Sequence, residues 1–175
     1  MSNILFVYER DMATVTTMRM NFTRLFQNEK MQCIFKTNQS VREEDINMAD
    51  VLVLIRADNT LSQRIAEQAR RRGCFIIFFM DDDLFCLPKT MPAMPWRIRA
   101  LKRNLLMSDM ILSPSPYICE KYQEKTRKRR GVLVDTAVSA EEINTAPVKS
   151  ENFDEPIKMV YAAGNNHEVL FERYI

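Results

Sequence analysis

The chain has 175 residues, 46% hydrophobic and 27% charged, with a formal net charge of +2. That length suits one domain, or one and a fragment, able to bury roughly 70% of the surface its unfolded form would expose. No stretch approaches the roughly 20 apolar residues of a membrane span, and so small a net charge does not by itself point to nucleic acid or membrane.

The first run, "ILFVY" at 4 to 8, reads as a buried strand, with Glu9, Arg10 and Asp11 where it surfaces. Nothing before it resembles a basic leader, so the expected location is the cytoplasm. Val15, Met18, Phe22, Leu25 and Phe26 then fall on one stripe of an amphipathic helix. "MQCIF" (31 to 35) and "DVLVLI" (50 to 55) are the next strands, the latter followed by Arg56 and Asp58. A helix after it carries Leu61, Ile65 and Ala69 on one face, with Thr60 and Gln63 in capping-box spacing and Gly73 at its close.

"CFIIFFM" (74 to 80) is the most hydrophobic run, and it ends on Asp81, Asp82 and Asp83. Three readings of that triplet stand together. The aspartates are turn caps and solvated charges; or Asp81 and Asp83 hold a divalent ion; or the carboxylates contact sugar hydroxyls or act as a general base, crowding raising one pKa.

"PAMPWRIRALKRNLLMS" predicts a helix that is either packed on the sheet or interfacial, since Trp96, Ile98, Leu101, Leu105 and Leu106 accompany four cations. "DMILS" (109 to 113) is a fifth strand, followed by Ser113, Ser115 and a helix in which Pro116 suits the first position. "VLV" (132 to 134) is a sixth. Strand and helix in alternation define the fold class: α/β, an open and mostly parallel Rossmann-like sheet with helices on both faces. Ligands of such sheets bind beyond the carboxyl ends of the strands.

From 136 to 156 the apolar period gives way to linker composition, and "IKMVYAAGNNHEVLFERYI" (157 to 175) restarts a strand and a Gly-containing turn. The expected division is therefore a lobe over 1–135, a linker over 136–156 and the start of a second lobe over 157–175.

Several absences narrow the chemistry. The only glycines are Gly73, Gly131 and Gly164, so no GxGxxG or GxxxxGK cradle can be written. The single histidine, His167, leaves the first lobe without a Ser-His or Cys-His nucleophile pair. Cys33, Cys74, Cys86 and Cys119 lie too far apart for zinc spacings and read as idle or buried thiols. The cations gather in "RRR" (70 to 72), "RIRALKR" and "KTRKRR" without an aromatic base-stacking platform, which gives nucleic acid little support.

In order, "ILFVYERD", "ADVLVLIR", "FFMDDDLFCLP", "SDMILSPSPYICEKY" and "IKMVYAAG" resemble the N-terminal half of family 4 type glycosyltransferases of the two-lobed GT-B fold. The resemblance implies a hexosyltransferase-type enzyme without an obligatory cofactor or metal. It would move a sugar from a nucleotide-sugar donor to a glycan or lipid-linked acceptor, as in polysaccharide biosynthesis. It also implies peripheral contact with the inner face of the membrane, and a fragment inactive by itself. Carried over, Glu9, Asp11, Thr16, Arg19, Arg56, Asp58, Ser113 and Ser115 would bind substrate. Asp81, Asp82 and Asp83 would be the catalytic candidates, and Gly164, Asn165 and His167 the donor-side loop. Two departures are visible: no Gly-rich turn follows the first strand, and aspartates stand where many relatives place a histidine. The alternative is a receiver-like or other flavodoxin-like binding or regulatory domain, with Glu9 and Asp11 as its acid pair and Asp58 as the modified carboxylate. Oligomeric state has no sequence signal.

Overall fold

The computed structural model describes residues 2–11, 14–16, 18, 19, 22, 31–86, 94–126 and 130–134. The chain divides into two compact units, Met1–Val138 and Ser139–Ile175, and every described element belongs to the first. The expected linker and second lobe, with Gly164, Asn165 and His167, lie outside the described residues.

Six parallel strands are present: β1 (Ser2–Tyr8), β2 (Met31–Thr37), β3 (Val51–Ile55), β4 (Phe75–Phe79), β5 (Met110–Ser113) and β6 (Arg130–Leu133). They form one sheet in the order β2-β1-β3-β4-β5-β6. Each parallel neighbour needs a crossover connection, and helices supply most of them. The described helical residues of α1 are 14–16, 18, 19 and 22. They are followed by α2 (Glu43–Met48), α3 (Thr60–Arg71), α4 (Pro95–Met107) and α5 (Pro116–Thr126). The open α/β sheet expected from the alternation is the fold observed.

Strand residues alternate between two cores because successive side chains point to opposite faces. Leu5, Val7, Leu52, Leu54, Ile76, Phe78 and Ile111 meet Ile46, Ile65, Leu101, Leu105, Ile118 and Tyr122, so α2 to α5 pack on that face. Ile4, Phe6, Tyr8, Val53, Ile55, Phe79 and Leu112 meet Val15 and Met18 of α1 on the other. Central strands covered on both sides read as unbroken apolar runs, which is why β3 and β4 were conspicuous in the sequence.

Local details differ from expectation. The N-cap of α3 is Asn59, not Thr60: its side-chain oxygen accepts from the Ser62 amide at 2.9 Å. Gln63 instead donates to Glu67, one turn on, at 2.7 Å. Ile65, Ala66 and Ala69 are buried whereas Leu61 is exposed, so the apolar stripe is rotated away from it. Gly73 does close the helix, at a left-handed φ of 79° that favours glycine. In α4, Leu101 and Leu105 face the core, as in an ordinary sheet-packed helix, while Trp96 and Leu106 are exposed.

At the amino ends of the strands, acids serve the backbone. Asp50 accepts from the Asn3 amide at 2.8 Å, and Asp109 accepts from the Ile76 amide at 2.8 Å and from Arg70 at 2.5 Å.

Candidate functional site at the carboxyl ends of the strands

β1 and β3 are neighbours, yet the chain leaves β1 for β2 on one side and continues from β3 to β4 on the other. Loops diverge at such a point and open a crevice. The loop after β1 brings Glu9, Arg10 and Asp11; that after β3 brings Arg56, Ala57, Asp58 and Asn59; that after β4 brings the three aspartates.

Arg97, near the start of α4, spans the crevice. Its Nε and NH2 donate to the two oxygens of Asp58 at 2.9 and 2.7 Å, and NH2 also donates to Glu9 at 2.7 Å. These bonds, those to Asp58 foremost, raise the guanidinium's pKa. Two turns further along α4, the fully buried Asn104 donates to the Ala57 carbonyl at 2.9 Å, so one helix face holds the loop by backbone and by side chain.

Arg56 has a left-handed φ of 49°, a conformation L side chains seldom adopt. Its amide donates to the Phe79 carbonyl at 3.0 Å, tying the loop after β3 to the end of β4. Its NH2 lies 2.6 Å from Asp82, and its Nε 3.6 Å from Asp81 Oδ1, beyond hydrogen-bonding range. Asp81 Oδ2 accepts from the Thr14 hydroxyl of α1 at 2.5 Å, while the buried Oδ1 has no hydrogen-bond donor among the described residues.

Asp83 stands apart from this pair. Its Oδ1 accepts from the Phe85 amide at 3.1 Å, and its Oδ2 is the partner of Lys121 from α5. Burial pushes its pKa up, but the hydrogen bonds from Lys121, Cys86 and Phe85 prevail and hold it below the usual carboxylate range. Lys121 also donates to the Cys86 sulfur at 3.0 Å and to the Tyr117 hydroxyl at 2.9 Å, and its pKa is raised, chiefly by Asp83. The triplet is thus divided among three partners: one aspartate bound to α1, one to Arg56, one to α5. No cluster of three metal-ligating side chains occurs among the described residues.

The remaining sequence candidates take structural roles or lie at the margin. Ser113 is buried and its hydroxyl accepts from the Ser115 amide at 3.1 Å, while the Ser115 hydroxyl accepts from the Ile118 amide at 3.4 Å. Both organise the start of α5. Arg19 donates to the Tyr8 hydroxyl at 3.1 Å, approaches Asp11 at 3.8 Å and lies 5.4 Å from the centre of the Phe35 ring. Burial, then Asp11, raises the Tyr8 pKa. Thr16 is an exposed residue of α1. Thr14 lies within the stretch from Glu9 to Thr16 that the resemblance set at the cleft, whereas Arg97, Asn104 and Lys121 are the rim residues that sequence reasoning missed. All three are helical and inconspicuous in the sequence, where only their charge or polarity amid apolar neighbours could have marked them.

No family model matches the chain, and no curated protein does. Among solved structures it is similar to a short-chain flavodoxin associated with a non-canonical PDU bacterial microcompartment, at 11% identity over 81% of this chain and 89% of that one, with a TM-score of 0.37. It is also similar to a flavodoxin of Streptococcus pneumonia TIGR4, at 9% identity over 81% and 88%, with a TM-score of 0.35. Neither is a glycosyltransferase, and the resemblance to family 4 enzymes is corrected accordingly, together with its nucleotide-sugar transfer and polysaccharide synthesis. The observed strand order agrees: it extends the flavodoxin-like 2-1-3-4-5 rather than the 3-2-1-4-5-6 arrangement of dinucleotide-binding sheets. The four described segments that suggested the enzyme fall on β1, β3, the end of β4 and the β5–α5 junction. Apolar strands ending in polar turns belong to any sheet wound this way, so they reported the fold and not its chemistry.

Proposed function

We propose that the unit Met1–Val138 is a flavodoxin-like binding domain that seats a small polyhydroxylated ligand in the crevice between the loops after β1, β3 and β4. The observation that carries this reading is Asp81: one carboxylate oxygen is held by Thr14, and the other is buried with no hydrogen-bond donor among the described residues. A buried acceptor without a donor is costly, and a ligand hydroxyl satisfies it. Asp82, Glu9 and Asp11 supply further acceptors on the loops after β4 and β1, each already shared with an arginine. Saturation-transfer NMR with ribose, glucose and inositol tests the reading. Transfer to wild type that disappears in Asp81→Asn supports it; no transfer from any of the three, or equal transfer in the variant, rejects it.

The receiver-like alternative requires Asp58 to accept a phosphoryl group. Both of its oxygens are engaged by Arg97, so modification would first have to displace that arginine. Acetyl phosphate with magnesium, followed by mass spectrometry of Asp58, separates the two readings.

Contact with an anionic leaflet is a second reading, favoured by one observation: Trp96, Arg99, Lys102, Arg103 and Leu106 are all exposed on α4, which contains no acid. Trp96 is the only tryptophan, so its emission should shift to the blue on vesicles containing phosphatidylserine and remain unchanged on phosphatidylcholine alone. Absence of that difference removes this reading.

A further inference from the structure

α4 and α5 repeat one spacing of side chains with the charge inverted. Each helix opens on a proline followed by an aromatic residue, Pro95 with Trp96 and Pro116 with Tyr117. Three and seven positions after Trp96 stand Arg99 and Arg103; three and seven after Tyr117 stand Glu120 and Glu124. At about 3.6 residues per turn, each set of three falls within about 60° of its helix circumference. All of these side chains are exposed, and Trp96 and Tyr117, at 59% each, are the most exposed large apolar ones among the described residues.

These charges are not spent inside the chain. No ion pair engages Arg99, Arg103, Glu120 or Glu124 among the described residues. The lysines of α5 are occupied elsewhere, Lys121 by Asp83 and Lys125 at 4.7 Å from the centre of the Phe85 ring. The outward face of α5 is therefore acidic, and that of α4, which contains no acid, is basic. The two helices are neighbours on one face of the sheet and run parallel, because each links a strand to the next parallel strand. A two-fold axis along the groove between them would lay α4 of one copy on α5 of another. An axis across them would set α4 on α4, cation against cation.

We propose that the outward face of α4 and α5 binds a second copy of this chain, in a two-fold dimer whose axis runs along the groove between the helices. The matched spacing then brings Trp96 to Tyr117 of the second copy, Arg99 to its Glu120 and Arg103 to its Glu124, every pair formed twice as the symmetry requires. The aromatic residues supply the anchoring contact. The ion pairs select the partner and its orientation, since exposed pairs contribute little affinity by themselves. An anionic leaflet would attract the cations of α4 but repel Glu120 and Glu124, whereas a second copy satisfies both helices. That difference favours the copy as the occupant of this face, whatever the crevice binds.

Sedimentation equilibrium of the intact chain over a range of concentrations tests this. Wild type is expected to dimerise, with an affinity about tenfold lower once salt is raised to about 0.5 M. Two double variants, Arg99→Glu with Arg103→Glu and Glu120→Arg with Glu124→Arg, should each remain monomeric where wild type is a dimer, because each opposes like charges; circular dichroism checks that both are folded. An equimolar mixture of the two should recover the dimer, since the acidic α4 of one then meets the basic α5 of the other, and the remaining helices match as well. A wild type that stays monomeric overturns the proposal, as do variants that dimerise like wild type or a mixture that stays monomeric. A monomeric wild type that binds phosphatidylserine vesicles, and binds them more tightly in the Glu120→Arg, Glu124→Arg variant, overturns it in favour of the leaflet. The wild-type measurement needs no substitution, so it decides even if a variant fails to fold.

Discussion

Arg97 and Asp58 form a two-bond pair, Nε to one carboxylate oxygen at 2.9 Å and NH2 to the other at 2.7 Å, and this pair joins the first turn of α4 to the loop after β3. The side chain of Asp58 is only 14% exposed, whereas that of Arg97 is 40% exposed. The consequence of removing the arginine therefore falls on the aspartate, which keeps its charge and loses the partner that compensates it. Arg97→Ala should destabilise the fold by about 1–3 kcal/mol, read as a lower urea midpoint at unchanged slope. Arg97→Lys should recover only part of this, because an ammonium cannot present the planar fork. Full recovery by lysine would show that charge alone matters.

Acid should unfold the protein through two carboxylates in particular. At Asp45 burial raises the pKa, but hydrogen bonds from Lys36 at 2.7 and 2.8 Å and from the Arg42 amide at 2.7 Å outweigh it. Asp83 is lowered in the same way by Lys121. A carboxylate whose folded-state pKa lies below its unfolded value stabilises fully above the unfolded value, and that stability is lost as pH falls through the folded one. The urea midpoint should thus fall below about pH 4, and Asp45→Asn with Asp83→Asn should flatten that fall while lowering stability at neutral pH. An equally steep acid limb in the double variant would place the responsible groups elsewhere.

Gly73 and Gly131 should respond differently to alanine. A Cβ on Gly73 would meet nothing within 4 Å, so the cost comes only from its φ of 79° and should be about 1 kcal/mol. On Gly131 the Cβ would stand 2.9 Å from the Gln123 side chain, whose flexible end can move aside. If Gly131→Ala is destabilising, adding Gln123→Ala should restore stability, while the same second change should leave Gly73→Ala unaffected. Thermal melting of the four variants decides this.

Tyr122→Phe should be neutral or stabilising by up to about 1 kcal/mol, since it removes a buried hydroxyl that makes no well-formed hydrogen bond among the described residues and keeps the ring against Phe85. A loss above about 1 kcal/mol would reveal a hydrogen bond, such as one from the neighbouring Leu84 amide, that strengthens in solution.

The sheet was legible because period and burial coincide: β3 and β4 are covered on both faces, and the alternation with α3, α4 and α5 required parallel pairing. The short α2 was missed; six residues carry too few turns to show a period. At the rim, Asp81, Asp82 and Asp83 were visible as a triplet, but their separate attachments were not. Thr14 is 67 positions from Asp81, and Lys121 is 38 from Asp83. Such contacts are set by where helices dock on the sheet, which local sequence does not encode. The same reasoning explains the glycosyltransferase error, because strand-end motifs are shared by proteins whose chemistry differs.

Asp50 and Asp109 give the opposite margin a mechanical character of its own. Each carboxylate is bonded to the main chain of an adjoining strand, Asn3 in one case and Ile76 in the other. Sliding of β1 past β3, or of β4 past β5, would tear those bonds, so the strands are pinned at that end like the ribs of a fan at its rivet. Any breathing of the sheet is consequently expected to spread from the far end, with amplitude growing towards Arg56 and Glu9.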